Sequence, residues 1–337
     1  MKAYELRNQP GLAAWDLVER PTPEPQAGQV LVKMHAASLN YRDLLVAKGA
    51  YGAKEFKPIT PLSDGAGAVV AVGDGVTRVK VGDRVAGIFM QDFIDGRLTR
   101  EKSNSALGGA ISGVLAEYVV FDENGLVNIP AHLTYEEAAT LPCAAVTAWN
   151  ALVTEGKLKA GDTVLLLGTG GVSIFALQFA KLMGARIIIT SSQDEKLEKA
   201  KQLGADVGIN YKVTPNWDEK VWELTDKRGA DHVVEVGGAD TLNQSLKAAT
   251  YGGNISLIGV LTGLKGDINT ALILHKHIRV QGIYVGSRTM FEEMNRAIAQ
   301  AQLHPVIDRV FEFAHATAAL AYLESGAHFG KIVIKIQ

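Results

Sequence analysis

Residues 167–173, Leu-Gly-Thr-Gly-Gly-Val-Ser, carry the glycine spacing of a phosphate-binding turn. Glycine is required there where φ turns positive, and again where the backbone must approach a pyrophosphate. The backbone of Gly168, Thr169, Gly170, Gly171 and Val172 would then present amides to the phosphate charge at a helix N-terminus. Ser173 replaces the last glycine of the full pattern. That position serves helix–strand packing, and serine is small enough to stand in with slight spreading. Taken alone, the turn equally fits an ordinary glycine-rich connection. The series of strands and helices around it favours a dinucleotide site.

Which dinucleotide is decided about 20 residues further on, where NAD-binding folds place an Asp or Glu for the ribose hydroxyls. Here the chain reads Ile189-Thr190-Ser191-Ser192-Gln193, with Ser191 where the acid would be sought. A carboxylate would repel a 2′-phosphate by about 4 kcal/mol at ~4 Å and an effective dielectric of about 20. The hydroxyls of Ser191 and Ser192 can donate to it instead. Lys196, one helical turn on, offers a positive charge, and Tyr211, after the next strand, a hydroxyl. Asp194 and Glu195 lie nearby, and Lys196 reads equally as a solvated helix residue. The balance predicts NADPH, with NADH as the alternative.

The elements that must position this turn alternate. Strands are expected over 163–167, 186–190, 207–210, 232–236 and 254–259, with helices over 172–182, 194–203, 217–227 and 241–249. Such alternation implies βαβ units and a parallel sheet covered on both faces. Before it, the first 130 residues read as β-rich, with strands at 30–34 and 67–72 and turns at Gly73, Gly75, Gly82 and Gly87. Residues 91–113 lose the periodicity and read as a surface loop. A helix interrupted around Pro142 is expected over 135–155, a strand over 278–285, an amphipathic helix over 289–302 and a closing strand over 331–336.

Composition narrows the partners. The 337 residues carry a net charge of −2, which leaves no electrostatic footprint for nucleic acid or anionic lipid. No apolar run reaches the roughly 18–20 residues that span a bilayer. The opening MKAYELRNQP lacks an apolar signal region, so a cytoplasmic protein is expected. Cys143, the single cysteine, can form no internal disulfide and excludes a cysteine-rich metal site. The expected partner is a small molecule.

Further segments resemble the medium-chain dehydrogenase/reductase family over essentially the whole chain. They are Ala36-Ala37-Ser38-Leu39-Asn40-Tyr41-Arg42-Asp43, Pro61-Leu62-Ser63-Asp64-Gly65-Ala66-Gly67, Val72-Gly73-Asp74-Gly75-Val76 and Val81-Gly82-Asp83-Arg84-Val85, then residues 141–149, the glycine-rich turn, and Gly330-Lys331-Ile332-Val333-Ile334. The resemblance implies an α/β protein with two parts. A GroES-like β-rich catalytic domain would comprise 1–130 and 286–337, and a Rossmann doubly wound parallel sheet 131–285, with an active-site cleft at their junction.

Zinc alcohol dehydrogenases of this family hold catalytic zinc with cysteine, histidine and cysteine. The matching segments put Asn40, Ser63 and Cys143 in those places. Catalytic zinc normally needs three protein ligands and one open position, and Asn and Ser are poor substitutes for thiolate and imidazole. Residues 91–113 contain no cysteine, so the structural zinc lobe is missing as well. No metal is expected. His275-Lys276-His277 reads as a strand-edge or turn feature rather than a ligand pair.

Without a Lewis acid nothing lowers the pKa of an alcohol. Hydride transfer to a quinone or to the β-carbon of an enone is easier, given hydrogen bonds to the developing oxyanion. The family's zinc-free reductases put Asn40, Tyr41 and Asp43 near the nicotinamide, with Tyr51 on the following loop. Asn40 or Tyr51 is the expected oxygen-binding donor, and a tyrosine hydroxyl or bulk water would carry the proton. Asp43 equally caps a helix beginning near Leu44, Tyr41 equally packs, and Arg42 equally forms a structural ion pair. Asp64 is expected to order the site beside Ser63, and Cys143 to pack rather than attack. Thr147 would contact the nicotinamide ribose or the substrate. Gly259-Val260-Leu261 and Val285-Gly286-Ser287 follow strands where the family places the nicotinamide carboxamide.

The expected activity is therefore zinc-independent, NADPH-dependent reduction of a quinone or α,β-unsaturated carbonyl, an electrophilic small molecule. A metal-free alcohol or carbonyl dehydrogenase is the alternative, because residues 63–67 and 141–149 look closer to the alcohol-dehydrogenase-like branch. A nucleotide-binding protein without turnover is the third reading. The alternating, β-branched run at 278–285 is expected to be an edge strand joining two sheets across a two-fold axis, which would make a homodimer.

Overall fold

Two sets of apolar strands each close around a core of their own. The computed structural model describes residues 1–6, 11, 15–50 and 58–337; Tyr51 lies outside the described residues. One unit comprises Met1–Val146 and Gly286–Gln337, the other Thr147–Val285. Residues 131–146, assigned by the sequence to the dinucleotide-binding part, belong to the first unit, where Tyr135–Ala138 packs on strands Gln29–Ser38 and Asp64–Val72.

In the first unit, strand Gln29–Ser38 is the hub. It pairs antiparallel with Asp64–Val72, with Tyr118–Asp122 and with Lys331–Lys335, which in turn runs parallel to Ile307–Glu312. The register sets Ser38 opposite both Asp64 and Val333. Three strand ends therefore meet beyond Ser38: the exit of one strand and the entries of two others. Its core includes Val30, Val32, Met34, Val69, Leu115 and Ile334.

The segment 91–113 is not simply a surface loop. Phe93, Ala106 and Leu107 are buried, and a short helix covers Arg100–Ser103. Its end approaches Leu62 so closely that a Cβ on Gly113 would lie 1.9 Å from the Leu62 carbonyl oxygen. The expected helix over 135–155 is broken by a wide turn at Leu141–Ala145, where Pro142 has no N–H to donate to the preceding turn.

The second unit is a six-stranded, all-parallel sheet in the order Val207–Asn210, Arg186–Ser191, Thr163–Leu166, Ala230–Glu235, Ala249–Leu257, Arg279–Gly282. In chain order this is 3-2-1-4-5-6, and the direction of travel reverses after the first strand, at the crevice where such sheets bind dinucleotides. Val164, Leu165, Ile188 and Val233 are fully buried, as strands covered on both faces require. The expected helix over 217–227 stops at Leu224, because Asp226 and Lys227 adopt positive φ. The run at 278–285 is strand only over Arg279–Gly282, at the sheet edge. Among the described residues no helix is long and apolar enough to cross a membrane.

A buried carboxylate ties the fourth strand of this sheet to its following helix. Glu235 accepts from the amides of Gly237 (2.8 Å) and Gly238 (3.0 Å) and from Thr241 Oγ1 (2.7 Å), while Ser245 Oγ donates to its other oxygen. Helix Ala239–Ala248 thus starts over a negative charge, which its N-terminal dipole favours. Glu235→Ala would leave these donors without their charged acceptor, each such bond being worth about 1.5–3 kcal/mol. Urea unfolding should show a loss of at least about 3 kcal/mol; a negligible change would refute the role.

Candidate functional site

In the second unit the glycine-rich turn has the geometry a pyrophosphate needs. Gly168 has φ of 71° and its amide donates to Thr190 Oγ1 at 3.2 Å. Helix Gly171–Leu182 begins after Gly170, which supplies no side-chain cap. A Cβ added at Gly168 or Gly170 would meet only open space within 4 Å, so the backbone face is open for a ligand to approach. Thr169 is buried in the turn. Ser173 is explained too: its hydroxyl donates to the Leu167 carbonyl at 2.7 Å, turned inward to the strand end.

At the end of the second strand of this sheet, Ser191 is buried, and its carbonyl accepts the Tyr211 amide at 3.0 Å, which brings the exposed Tyr211 beside it. Ser192 is half-buried. Lys196 is buried on helix Asp194–Leu203 rather than a solvated helix residue. Asp194, the nearby acid, accepts from Asn210 Nδ2 at 2.8 Å. Thr147 is buried within Val146–Trp149.

The remaining cofactor candidates divide. Gly259 follows its strand with no room for a side chain, since a Cβ would lie 1.8 Å from the Val236 carbonyl oxygen; Val260 follows half-buried and Leu261 exposed. Val285 adopts φ of 56°, an outlier for a β-branched residue, with its carbonyl held by Asn150 Nδ2 at 2.7 Å. Gly286 and Ser287 belong to the first unit. Ser287 Oγ caps helix Arg288–Ala301 by accepting the Met290 amide at 3.3 Å, a structural use that the sequence did not distinguish from a cofactor contact.

In the first unit the three strand ends bring Asn40, Asp43, Ser63 and Asp64 into one buried polar cluster beside the half-buried Cys143, together with a residue that sequence reasoning missed. Lys331, 3% exposed, donates from Nζ to the Leu39 carbonyl and, at 2.7 Å, to Asn40 Oδ1. Ser63 Oγ donates to Asp64 Oδ1 at 2.6 Å, and the Cys143 amide to Asp64 Oδ2 at 3.0 Å. Asn40 caps helix Tyr41–Ala47; its own amide donates to Asp43 Oδ2 at 2.7 Å. Asp43 therefore has the capping role weighed from the sequence. Arg42 donates to the Leu107 carbonyl at 2.6 Å, stands 3.7 Å from Asp43 and lies over the Phe89 ring, a structural pairing. Tyr41 is exposed. Asn40 Nδ2 is buried and has no hydrogen-bond partner.

Burial dominates the electrostatics. It pushes the Asp43 carboxyl up to about 6, opposed chiefly by Arg42. It also raises Asp64, against the pull of Lys331, the hydrogen bonds from Ser63 and the Cys143 amide, and the nearby Asn40 side chain. Lys331 is lowered by burial, with Asp64, the Cys143 thiol and Asp43 working the other way. Burial, helped by Asp64, pushes the Cys143 thiol well up, which leaves it unsuited to attack. Among the described residues no three His, Cys, Asp or Glu side chains gather closely enough to hold a metal ion. The signal that could have revealed Lys331 is its type: a lysine opening an otherwise apolar strand is almost never buried unless paired.

The raised Asp43 carboxyl has a defined consequence for stability. The native state holds this proton up to about pH 6, whereas the unfolded chain releases it near the ordinary value of 3.8. Asp43 therefore contributes stability that is fully present below that value and is lost, by about 3 kcal/mol, as pH rises through 6. In Asp43→Asn the contribution is absent. Urea unfolding across pH should show the variant gaining on the parent between about pH 4 and 6 and no further above that; a constant gap would contradict the shift.

The profile of the alcohol dehydrogenase GroES-like domain matches residues 26–131, and that of the zinc-binding dehydrogenase matches residues 171–300. A zinc-type alcohol dehydrogenase-like protein of Schizosaccharomyces pombe is 47% identical over 315 residues, covering 92% of this chain and 91% of the relative. An NAD-dependent alcohol dehydrogenase of known structure superposes with a TM-score of 0.91 at 34% identity, covering all of both chains. The quinone oxidoreductase of Coxiella burnetii superposes at 0.81 with 30% identity over 100% of this chain and 99% of its own. The chain is an oxidoreductase belonging to the medium-chain dehydrogenase/reductase family, with a Rossmann nucleotide-binding fold and a GroES-like fold.

Proposed function

We propose that this oxidoreductase reduces a quinone or an α,β-unsaturated carbonyl compound with NADPH and without zinc. The observation that carries the reading is the state of the three positions where the family's zinc ligands stand. Asn40 Oδ1 accepts from Lys331, and the Ser63 hydroxyl is donated to Asp64. Neither is a thiolate or an imidazole, Cys143 alone cannot supply the three protein ligands a catalytic zinc needs, and an ammonium stands among them, so these residues do not fit a catalytic zinc.

Bound NADPH would supply the hydride. The open backbone after Gly168 and Gly170 fits its pyrophosphate, and Ser191 in place of an acid, with Lys196 five residues on and Tyr211 bonded to its carbonyl, favours its 2′-phosphate. Asn40 Nδ2, buried without a partner, is the donor for the acceptor's oxygen as charge develops there. Solvent supplies the proton. The Rossmann unit would bind the cofactor and the GroES-like unit carry the catalytic groups. A homodimer formed through the edge strand Arg279–Gly282 and a cytoplasmic setting complete the reading.

Similarity to an NAD-dependent alcohol dehydrogenase favours a second reading, a metal-free alcohol or carbonyl dehydrogenase. Anaerobic assays with a quinone, an enone, an aldehyde and an alcohol separate the two: oxidation of NADPH by the first pair alone is expected, and turnover confined to the second would replace the proposal. The cofactor is tested by Ser191→Asp. Its carboxylate should raise the Kd for NADPH about 100-fold or more while sparing NADH; equal effects on both would remove Ser191 from the 2′-phosphate site.

A further inference from the structure

The cluster poses a question that donor chemistry answers. Amide oxygen and nitrogen differ only in which can accept, and Asn40 could present either end to its surroundings. A lysine ammonium has donors and no acceptor. At 2.7 Å from Asn40 it can face only the amide oxygen, because a flipped amide would set two donor groups against each other. Lys331 itself has little freedom. Its strand is pinned to Gln29–Ser38 by the pairs Val333–Ser38, Ile334–Ala37 and Lys335–Ala36, and continuing that register by two residues brings Lys331 opposite Asn40. The Leu39 carbonyl takes a second ammonium hydrogen.

We propose that Lys331 is the resident cation of this cluster, standing where relatives would hold a metal, and that it is a positioning residue for Asn40: by holding Oδ1 it turns Nδ2 out as the donor for the hydride acceptor's oxygen. Two observations converge on this. Nδ2 is the amide atom left buried and unpartnered, on a residue 9% exposed. The carboxylates of Asp64 and Asp43 are the charged groups whose field Lys331 feels, so an ammonium already answers negative charge in the cluster. A divalent ion added beside it would be repelled. The inference about Nδ2 rests on the reductase reading; the inference about the resident cation does not.

The test is a double-mutant cycle of Lys331→Met and Asn40→Ala, with kcat, KM, Tm and zinc content measured on the whole chain. Removing an oxyanion donor typically costs about 100-fold or more in kcat. Each single variant should lose about that much in kcat, with KM changed only a few-fold, and the double variant should fall little further, since one interaction is lost in all three. Losses that multiply would overturn the positioning role, as would Lys331→Met retaining parental kcat. If Lys331→Met does not fold, Asn40→Asp serves: it keeps an acceptor for the ammonium but offers no N–H, so it should fold and lose kcat about 100-fold, and unchanged kcat would sink the idea. One zinc per purified parental chain would overturn the resident cation. Should the parent reduce no acceptor at all, the reductase reading fails on its own, and the cycle is read from Tm instead. There, overlapping losses support the Lys331–Asn40 link and additive ones reject it.

Discussion

Burying the Lys331 ammonium is the constraint around which the first unit's polar residues are arranged. An unpaired ammonium taken out of water costs several kcal/mol even after relaxation. Here the cost is offset by a backbone carbonyl, an amide oxygen and two nearby carboxylates. Asp64, equally buried, is in turn satisfied by the Ser63 hydroxyl and the Cys143 amide. The capping of helix Tyr41–Ala47 by Asn40 and Asp43 follows from the same economy, since Asp43 spends one oxygen on the Asn40 amide. One donor, Asn40 Nδ2, is left over. A buried donor without a partner calls for an explanation, and the proposed acceptor oxygen supplies one.

The second unit solves the opposite problem. Its central strands bury apolar side chains on both faces, and several of its polar groups stand at their carboxyl ends. Gly168, Ser191, Glu235 and Gly259 all lie at or just after such ends. Two ends are closed internally: Glu235 by four donors, Gly259 by contact with Val236. The first end, after Leu167, stays open, with neither a side-chain cap nor a neighbour over its glycines. Helix dipole and exposed backbone together suit it to the anion-binding role proposed for it.

Similarity to zinc enzymes is compatible with the proposed metal-free reading. The matched zinc-binding dehydrogenase profile covers residues 171–300, a stretch that contains none of Asn40, Ser63, Cys143 or Lys331. What it tracks is mostly the nucleotide-binding sheet and its helices. Ligand identity is a matter of three side chains, and a scaffold can keep its strands while changing them.

By itself the sequence determined whatever local periodicity and motif spacing can carry. The alternating series from 163 to 259, the glycine-rich turn and the serine at 191 are written in contiguous residues, and the strands and helices follow in the expected order, with the helix expected over 217–227 ending at Leu224. Tertiary structure decided what depends on partners far apart in the chain. Lys331 lies 291 residues from Asn40, and only strand pairing brings them together. Burial of Phe93 and Leu107 within a polar segment, the capping use of Ser287, and the transfer of residues 131–146 to the first unit are likewise settled by packing. Periodicity reports which face of an element is apolar, but a hydrogen bond between strand ends is fixed by register, and register is a property of the assembled sheet.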